Sequence, residues 1–258
     1  DAATLVIRPG WGWHYQHRPG QYVGIGVLIL MWLLRSRTGN DLSLYKPSTL
    51  YRRIERRIAL LQLNGLADYV DYLRTNLQEI DILFKEMLIG VTSFFRDPAV
   101  WEFLRDTALP LLFASNPDGH MLRAWVPACS TGEEAYSLAI AFNEVLEKLR
   151  PAAQYTLQIF ATDLSADAID RARQGRFPHS IGSDVSAERL ERFFLQDKSD
   201  YLVRKEIRNM IIFAQQNIIS DPPFTKLDIL CCRNLLIYLN AKLQQRLIPL
   251  FHYALNRD

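Results

Sequence analysis

The 258-residue sequence predicts an α/β fold: a parallel, doubly wound sheet with a small antiparallel β insertion, behind an N-terminal helical domain. Three observations predict it. Between Leu33 and about Leu112, apolar residues recur every three or four positions, the period of helices with one buried face. From Leu122 onward, short apolar runs alternate with helical stretches, the grammar of strand, crossover and parallel strand. Finally, 49% of the residues are hydrophobic, enough in a chain of this length for a sizeable core.

The elements follow in order. The first twenty residues, with Pro9, Gly10, Trp11, Gly12, Trp13, Pro19 and Gly20, carry turn signals without periodicity, and residues 1–32 receive no functional assignment. Tyr22 to Leu34 is an apolar run of 13 residues, short of the roughly 18 to 20 that span a bilayer. Arg35 and Arg37 close it and no small-residue cleavage site follows, so it reads as a buried helix or strand. Ser48 is placed to cap a helix with Leu50, Ile54, Ile58 and Leu61 on its inner face and Asn64-Gly65 as its stop. The other face carries Arg52, Arg53, Arg56 and Arg57. Leu66, Tyr69, Val70, Leu73 and Leu77, then Ile80, Leu83, Phe84, Met87 and Leu88, repeat the helical period up to Gly90. Asp97-Pro98 supplies an N-cap acceptor and a first-turn proline for one more helix, and the helical domain is set at 33–115.

The α/β domain takes 116–258. Leu122 to Val126 is a strand, followed by the loop Ala128 to Glu134 and a helix from Ala135 to Lys148. Leu157 to Ala161 is the next strand, closed by Thr162-Asp163, and Ser165 caps a helix that ends at Gly175. Leu227 to Cys232 is a third, with Arg233-Asn234 at its end and a helix from about Ala241. Tyr201 to Ile207 and Asn209 to Ala214 read as two short strands joined by a tight reversal.

Charge and cysteine use narrow the function classes. A formal net charge of +2 gives no global argument for nucleic acid or a membrane surface. The three cysteines lack CxxC spacing and the five histidines are scattered, so no metal site is expected and a reducing compartment is the simplest reading. In a doubly wound sheet, ligands sit beyond the carboxyl ends of the strands. Ser130 and Glu133 have capping-box spacing and Gly132 permits close backbone approach, so the first loop reads either as an ordinary capped helix or as a ligand loop. Asp163 reads either as a helix-start acid or as an acceptor for the two hydroxyls of a ribose. From Lys46 to Arg57 five basic residues stand against Glu55, a net of 5 − 1 = +4, which fits a solvated helix face or a surface for an acidic partner.

Four motifs in order, Thr92-Ser93-Phe94-Phe95-Arg96-Asp97, Cys129 to Ser137, Ala161-Thr162-Asp163 and Cys232-Arg233-Asn234-Leu235-Leu236-Ile237-Tyr238, together resemble the chemotaxis receptor methyltransferases, the CheR family. The resemblance runs from about Leu33 to the end, includes Thr38-Gly39, Tyr45-Lys46 and Asp221-Pro222-Pro223-Phe224, and is closest to CheR domains of larger signalling proteins. It implies a Rossmann-like S-adenosylmethionine-dependent protein-glutamate O-methyltransferase, with S-adenosylhomocysteine as product. It also implies a cytoplasmic monomer acting on the cytoplasmic domain of a methyl-accepting chemotaxis-type receptor, without nucleic acid and without inserting into the membrane. Carried over, the cofactor contacts fall on Thr92, Arg96, Glu134, Asp163, Asn217, Ile218, Arg233 and Asn234, with Gly90 where many members have Asn. Arg96 and Tyr238 are implied near the reacting groups, Arg52, Arg53, Arg56 and Arg57 against the receptor, and a β-subdomain at about 177–216, which docks a receptor tail in some members.

The chemistry suits so sparse a polar set. A glutamate carboxylate, with an ordinary pKa of about 4.3, is ionised at neutral pH and needs no base. The protein has to align oxygen, methyl and sulfur in a site dry enough to strip water from the nucleophile. The family continues past the position of Asp258 into strands that complete the sheet, so the chain is expected to be a C-terminally truncated catalytic domain. Two other classes stay open: a non-catalytic cofactor- or receptor-binding domain, and a nucleic-acid N-methyltransferase. The second rests on Asp221-Pro222-Pro223-Phe224, which resembles the loop that holds an amino nitrogen in those enzymes, and the near-neutral charge speaks against it.

Overall fold

The computed structural model describes residues 21–116 and 118–256, so the turn-rich first twenty residues lie outside the described ones. The described residues form two compact units, one from those up to Ser43 together with Leu50–Phe84, the other from Leu44–Thr49 and those from Lys85 onward.

Four helices make up the α-helical part: α1 Gln21–Thr38, α2 Pro47–Leu60, α3 Leu66–Thr75 and α4 Leu77–Met87. The apolar run lies in α1, where Leu30 and Leu34 are buried and Leu28 and Trp32 are exposed. Among the described residues no helix is long and apolar enough to cross a membrane. Gly26 lets α1 approach α3, because a Cβ there would come within 2.8 Å of Leu66 Cδ2. Helix α2 starts at Pro47, one residue before the expected cap Ser48, since proline presets the first helical φ and needs no N–H partner. Gly65 sits at the N-terminus of α3 and does not stop α2, which ends at Leu60.

One ion-pair cluster ties α2, α3 and α4 together. Arg57 donates to both oxygens of Glu79 at 2.8 and 2.7 Å, and the Tyr69 hydroxyl donates to the same carboxylate at 2.8 Å. Arg57 and Glu79 side chains are only 13% and 5% exposed, so each is compensated chiefly by the other.

In the second unit, α5 Pro98–Phe103 runs through a single π turn at Leu104–Ala108 into α6 Leu109–Ala114. There follow β1 His120–Pro127, α7 Glu133–Leu149, β2 Tyr155–Asp163, α8 Ala166–Gln174, β3 Arg176–Pro178, α9 Ala187–Phe193, β4 Phe194–Asp197, β5 Asp200–Val203, α10 Lys205–Arg208, β6 Ile211–Gln215, β7 Ile229–Leu230 and α11 Ala241–Ala254. The main sheet has the order β6-β2-β1-β7 and is parallel throughout, with Ala124 beside Ile159 on one side and Ile229 on the other. Alternation along β1 fills both faces. Leu122, Ala124 and Val126 join Leu157, Ile159 and Ala161 in a core with Leu138, Ala139 and Phe142 of α7. Trp125 points the other way, into Leu243, Leu247 and Phe251 of α11.

The chain steps outward from β1 to β2 to β6 and then returns to β7 on the far side of β1. This reversal places a crevice at the carboxyl ends of β1 and β7.

Two expected elements differ. The short antiparallel sheet is β3-β5-β4, with Tyr201 opposite both Phe177 and Gln196. Asn209 to Ala214 does not pair with Tyr201 to Ile207: α10 intervenes, and β6 runs parallel to β2 with Ile159 beside Ile211. A short alternating run carries an inward face, here Ile211 and Phe213, but says nothing about which strand it joins. Asp97 does not cap α5 either. Its φ of 56° is left-handed, and its carboxylate turns to Arg233 instead.

Candidate cofactor site

The site begins where β1 ends. Ala128 and Ser130 have φ of 56° and 50°, and Gly132 has φ of 97°, so the loop turns sharply before α7 starts. Only glycine fits at 132, where a Cβ would lie 3.0 Å from Ala172 Cβ and 3.1 Å from the Phe213 ring. The expected capping box does not form. The Ser130 hydroxyl points to the Gly90 carbonyl at 3.4 Å, and the Glu133 carboxylate accepts from the Thr131 hydroxyl at 2.7 and 2.9 Å. What fixes the loop is β2: Cys129 N–H donates to the Thr162 carbonyl at 2.9 Å and Ser130 N–H to Asp163 Oδ2 at 2.9 Å.

Around this loop lies a cleft of two lobes that share Ile89, Ala128, Ser130, Asp163, Leu235 and Tyr238. The first lobe, about 840 Å³ to its open mouth, is also lined by Tyr45, Lys85, Gly90, Gln216, Asn217 and Ile218. The second, about 560 Å³, is lined by Thr92, Arg96, Glu134, Arg233 and Asn234. The residues to which the family resemblance gave cofactor contacts or a place near the reacting groups all line one lobe or the other, whereas Thr131, Gly132 and Glu133 of the loop line neither.

Asp163 sits at the junction. Its oxygens take the N–H groups of Ser130 at 2.9 Å and Ser165 at 2.8 Å, and a carboxylate retains acceptor capacity beyond these two bonds. Burial pushes its carboxyl above the ordinary range, and the Ser165 and Ser130 amides oppose that shift. Asn217 is locked in a turn, its N–H on Asp221 Oδ2 at 2.8 Å and its side-chain oxygen on the Ile219 N–H at 2.9 Å.

The second lobe carries opposite charges. The Glu134 carboxylate, in the first turn of α7, accepts from the Cys231 thiol at 3.0 Å, and burial raises its pKa. Arg233 Nη2 donates to the Arg96 carbonyl at 2.6 Å and to Asp97 at 2.8 Å, with its guanidinium over the Trp101 ring at 5.4 Å. Arg233 Nη1 is buried without a hydrogen-bond partner, 3.7 Å from Glu134 Oε2. A buried N–H lacking an acceptor beside a carboxylate suits a ligand with an α-carboxylate and an α-ammonium. A carboxylate with spare acceptor capacity at Asp163, and a carboxylate beside an unpartnered guanidinium N–H at Glu134 and Arg233, are donor and acceptor types that a ribose and an amino-acid end require, so the set is chemically compatible with S-adenosylmethionine. Among the described residues no group of His, Cys, Asp or Glu is arranged to hold a metal.

Arg96 Nη1 donates to the Val91 carbonyl at 3.3 Å, at the lobe lined also by Tyr238. The Asp221-Pro222-Pro223-Phe224 segment serves the fold, since Asp221 accepts from Asn217 and Ser220 while Phe224 stacks on Phe160 at 4.5 Å. Of the four arginines assigned to the receptor, Arg52 and Arg56 are exposed, Arg53 is half-buried with an unpartnered Nε, and Arg57 is held by Glu79.

Sequence reasoning missed Tyr45 as a wall of the cleft. A bridge to Leu239 brings it there, with Lys46 N–H on the Tyr238 carbonyl and Asn240 N–H on the Leu44 carbonyl. Burial and then the Asp163 carboxylate push its phenol up to about 12, which keeps the hydroxyl protonated. Cys231 and Gln216 were missed as well. Nothing in the local sequence separates them from ordinary strand-end residues.

Fold and site define a methyltransferase that uses S-adenosylmethionine. Residues 90–258 match the CheR methyltransferase SAM-binding domain and residues 29–88 the CheR methyltransferase all-alpha domain. The chain is 44% identical over 210 residues to an uncharacterised 104.1 kDa protein of Rhodobacter capsulatus, a stretch covering 81% of this chain and 22% of that one. It is 33% identical to chemotaxis protein methyltransferase 2 of Pseudomonas aeruginosa, over 82% of this chain and 75% of that one. To the chemotaxis protein methyltransferase of Escherichia coli it is 28% identical, over 88% of this chain and 78% of that one. The chain belongs to the CheR methyltransferase family.

Proposed function

We propose that the protein transfers the methyl group of S-adenosylmethionine to glutamate side chains on the cytoplasmic domain of a chemotaxis-type receptor, working as a monomer in the cytoplasm. One observation carries this reading: Glu134 and the unpartnered Arg233 Nη1 share a two-lobed cleft with Asp163, and Arg96 and Tyr238 line the same cleft. The cofactor, when bound, supplies an electrophilic methyl on a sulfonium. Asp163 accepts the ribose hydroxyls, the Asn217-Ile218 turn closes the nucleoside lobe, and Glu134 with Arg233 takes the amino-acid end. Arg96 orients the acceptor carboxylate and Tyr238 donates a hydrogen bond near the transfer axis. A tight Arg96 contact would stabilise the ground-state anion, so its part is positioning. The acceptor carboxylate is ionised at neutral pH, so the reaction needs no general base.

Recognition of an acidic receptor surface falls to the arginines of α2, of which Arg52 and Arg56 are exposed and Arg53 half-buried. The helical segment 33–115 is assigned to recognition, 116–258 to chemistry, and the β-subdomain at about 177–216 to a receptor tail. Incubation with methyl-labelled cofactor and a receptor cytoplasmic domain, followed by peptide mass spectrometry, tests the reading. Label on glutamates supports it, and label on lysine, on nucleic acid or nowhere, with cofactor bound, contradicts it.

A further inference from the structure

We infer that Cys231 is a positioning residue for the cofactor's amino-acid end, donating its thiol hydrogen to Glu134 so that this carboxylate stays oriented toward the second lobe. The inference rests on the proposed reading of Glu134 as the acceptor for the cofactor's ammonium group. Glu134 is 15% exposed, with Oε1 occupied by Cys231 Sγ at 3.0 Å and Oε2 3.7 Å from Arg233 Nη1. Arg233 is held away from a closer approach by its bonds to the Arg96 carbonyl and Asp97. Among the described contacts, the thiol is thus the one side chain within hydrogen-bond distance of this carboxylate. A carboxylate with a single donor keeps acceptor capacity for an incoming ammonium, whereas a bidentate arginine would fill it.

The direction of the bond is settled by the thiol's surroundings. Burial first, and then the Glu134 charge, raise the Cys231 thiol well above its ordinary range, so it remains S–H and donates. The charged and titratable groups that act on Glu134 are Cys231, Arg233, Arg96 and Asp97, of which the first three favour its ionised form and Asp97 opposes it. Cys129 and Cys232 also feel the Glu134 charge, but burial keeps both thiols neutral. Removing the Cys231 donor therefore makes Glu134 easier to protonate and freer to rotate toward Arg233.

The test is titration calorimetry of S-adenosylhomocysteine on the full chain from about pH 4 to 8, a range that starts in the ordinary carboxylate region, with wild type, Cys231→Val, Cys231→Ser and Glu134→Gln. Cys231→Val is expected to weaken binding about five- to tenfold at neutral pH and to move the acid limb of the affinity profile upward by roughly half a pH unit. Cys231→Ser, which keeps a donor, restores both. A Cys231→Val profile superimposable on wild type, or a serine variant no better than valine, overturns the inference. Glu134→Gln separates the two layers. If it binds like wild type, the ammonium reading itself fails; if it binds weakly while Cys231→Val is normal, only the Cys231 inference fails. The wild-type chain gives a readout that needs no folded variant. Its infrared spectrum should contain a hydrogen-bonded S–H band that shifts on acidification through the Glu134 titration, and a band unmoved by pH contradicts the bond.

Discussion

Replacing Asp163 by alanine is expected to weaken S-adenosylhomocysteine binding about 30- to 150-fold. A carboxylate offers about four acceptor positions. In this site the Ser130 and Ser165 amides at 2.9 and 2.8 Å take two and the Leu164 amide also acts on the group, and the remaining capacity is proposed for the ribose hydroxyls. Hydrogen bonds to a charged acceptor contribute about 1.5 to 3 kcal/mol each, and imperfect geometry and the cost of the buried charge reduce the pair to about 2 to 3 kcal/mol. The same substitution leaves two backbone amides without an acceptor at the start of the cofactor loop and of α8, so the free protein should lose about 1 to 2 kcal/mol of stability. Asp163→Asn is the informative intermediate, since its oxygen serves one amide while its NH₂ confronts the other. Calorimetric titration and urea unfolding on the same preparations read both effects. Wild-type affinity in a folded Asp163→Ala protein would refute the assignment of Asp163 to the ribose.

Further outcomes are expected. Arg57→Met leaves Glu79 buried without its cation and should cost about 3 to 4 kcal/mol in urea unfolding, whereas Arg52→Glu with Arg56→Glu should leave stability and cofactor affinity near wild type and reduce receptor methylation at least tenfold. Burial raises the Glu133 carboxyl, so its charge opposes folding at neutral pH; Glu133→Gln should raise stability near pH 7 and lose that advantage as the pH falls toward the ordinary carboxylate range of about 4, where wild type is protonated. A gain that persists unchanged in acid contradicts this sign. Gly132→Ala, with φ of 97° and its new Cβ 3.0 Å from Ala172 Cβ, should lower stability by about 2 kcal/mol or more in thermal unfolding. Tyr238→Phe should reduce kcat about ten- to a hundredfold with S-adenosylhomocysteine affinity unchanged.

The alternation of strand and helix was legible because short apolar runs at β1 and β2 are each followed by a turn and a longer helical stretch, buried almost all round in the first half of α7 and one-sided in α8, so the loop at Ala128 to Glu134 could be placed from sequence. The cleft residues were legible through the order of four motifs, not through any one of them. Residues 128–134 look like a capped helix start in sequence, yet Ser130 and Glu133 bond elsewhere, and the loop is fixed by Asp163 from a different strand. Long-range pairings lie beyond local pattern. Tyr45 enters the cleft through Leu239, and β6 joins β2 and not its chain neighbour β5. The basic stripe of α2 had the same weakness. Spacing put Arg57 on the face with Arg52, Arg53 and Arg56, but only the fold shows Glu79 capturing it, with the Tyr69 hydroxyl on the same carboxylate.

The acceptor proposed for this protein is a carboxylate, and the bond formed decides it. The protein is incubated with methyl-labelled S-adenosylmethionine and a receptor cytoplasmic domain, the protein fraction is treated with mild base, and volatile label is collected. Methanol release is expected from wild type, falling in Asp163→Ala at cofactor concentrations that limit binding and falling in Arg52→Glu with Arg56→Glu. Label that stays on the protein through base, or a receptor left unlabelled by a preparation shown to bind the cofactor, would contradict a carboxylate acceptor.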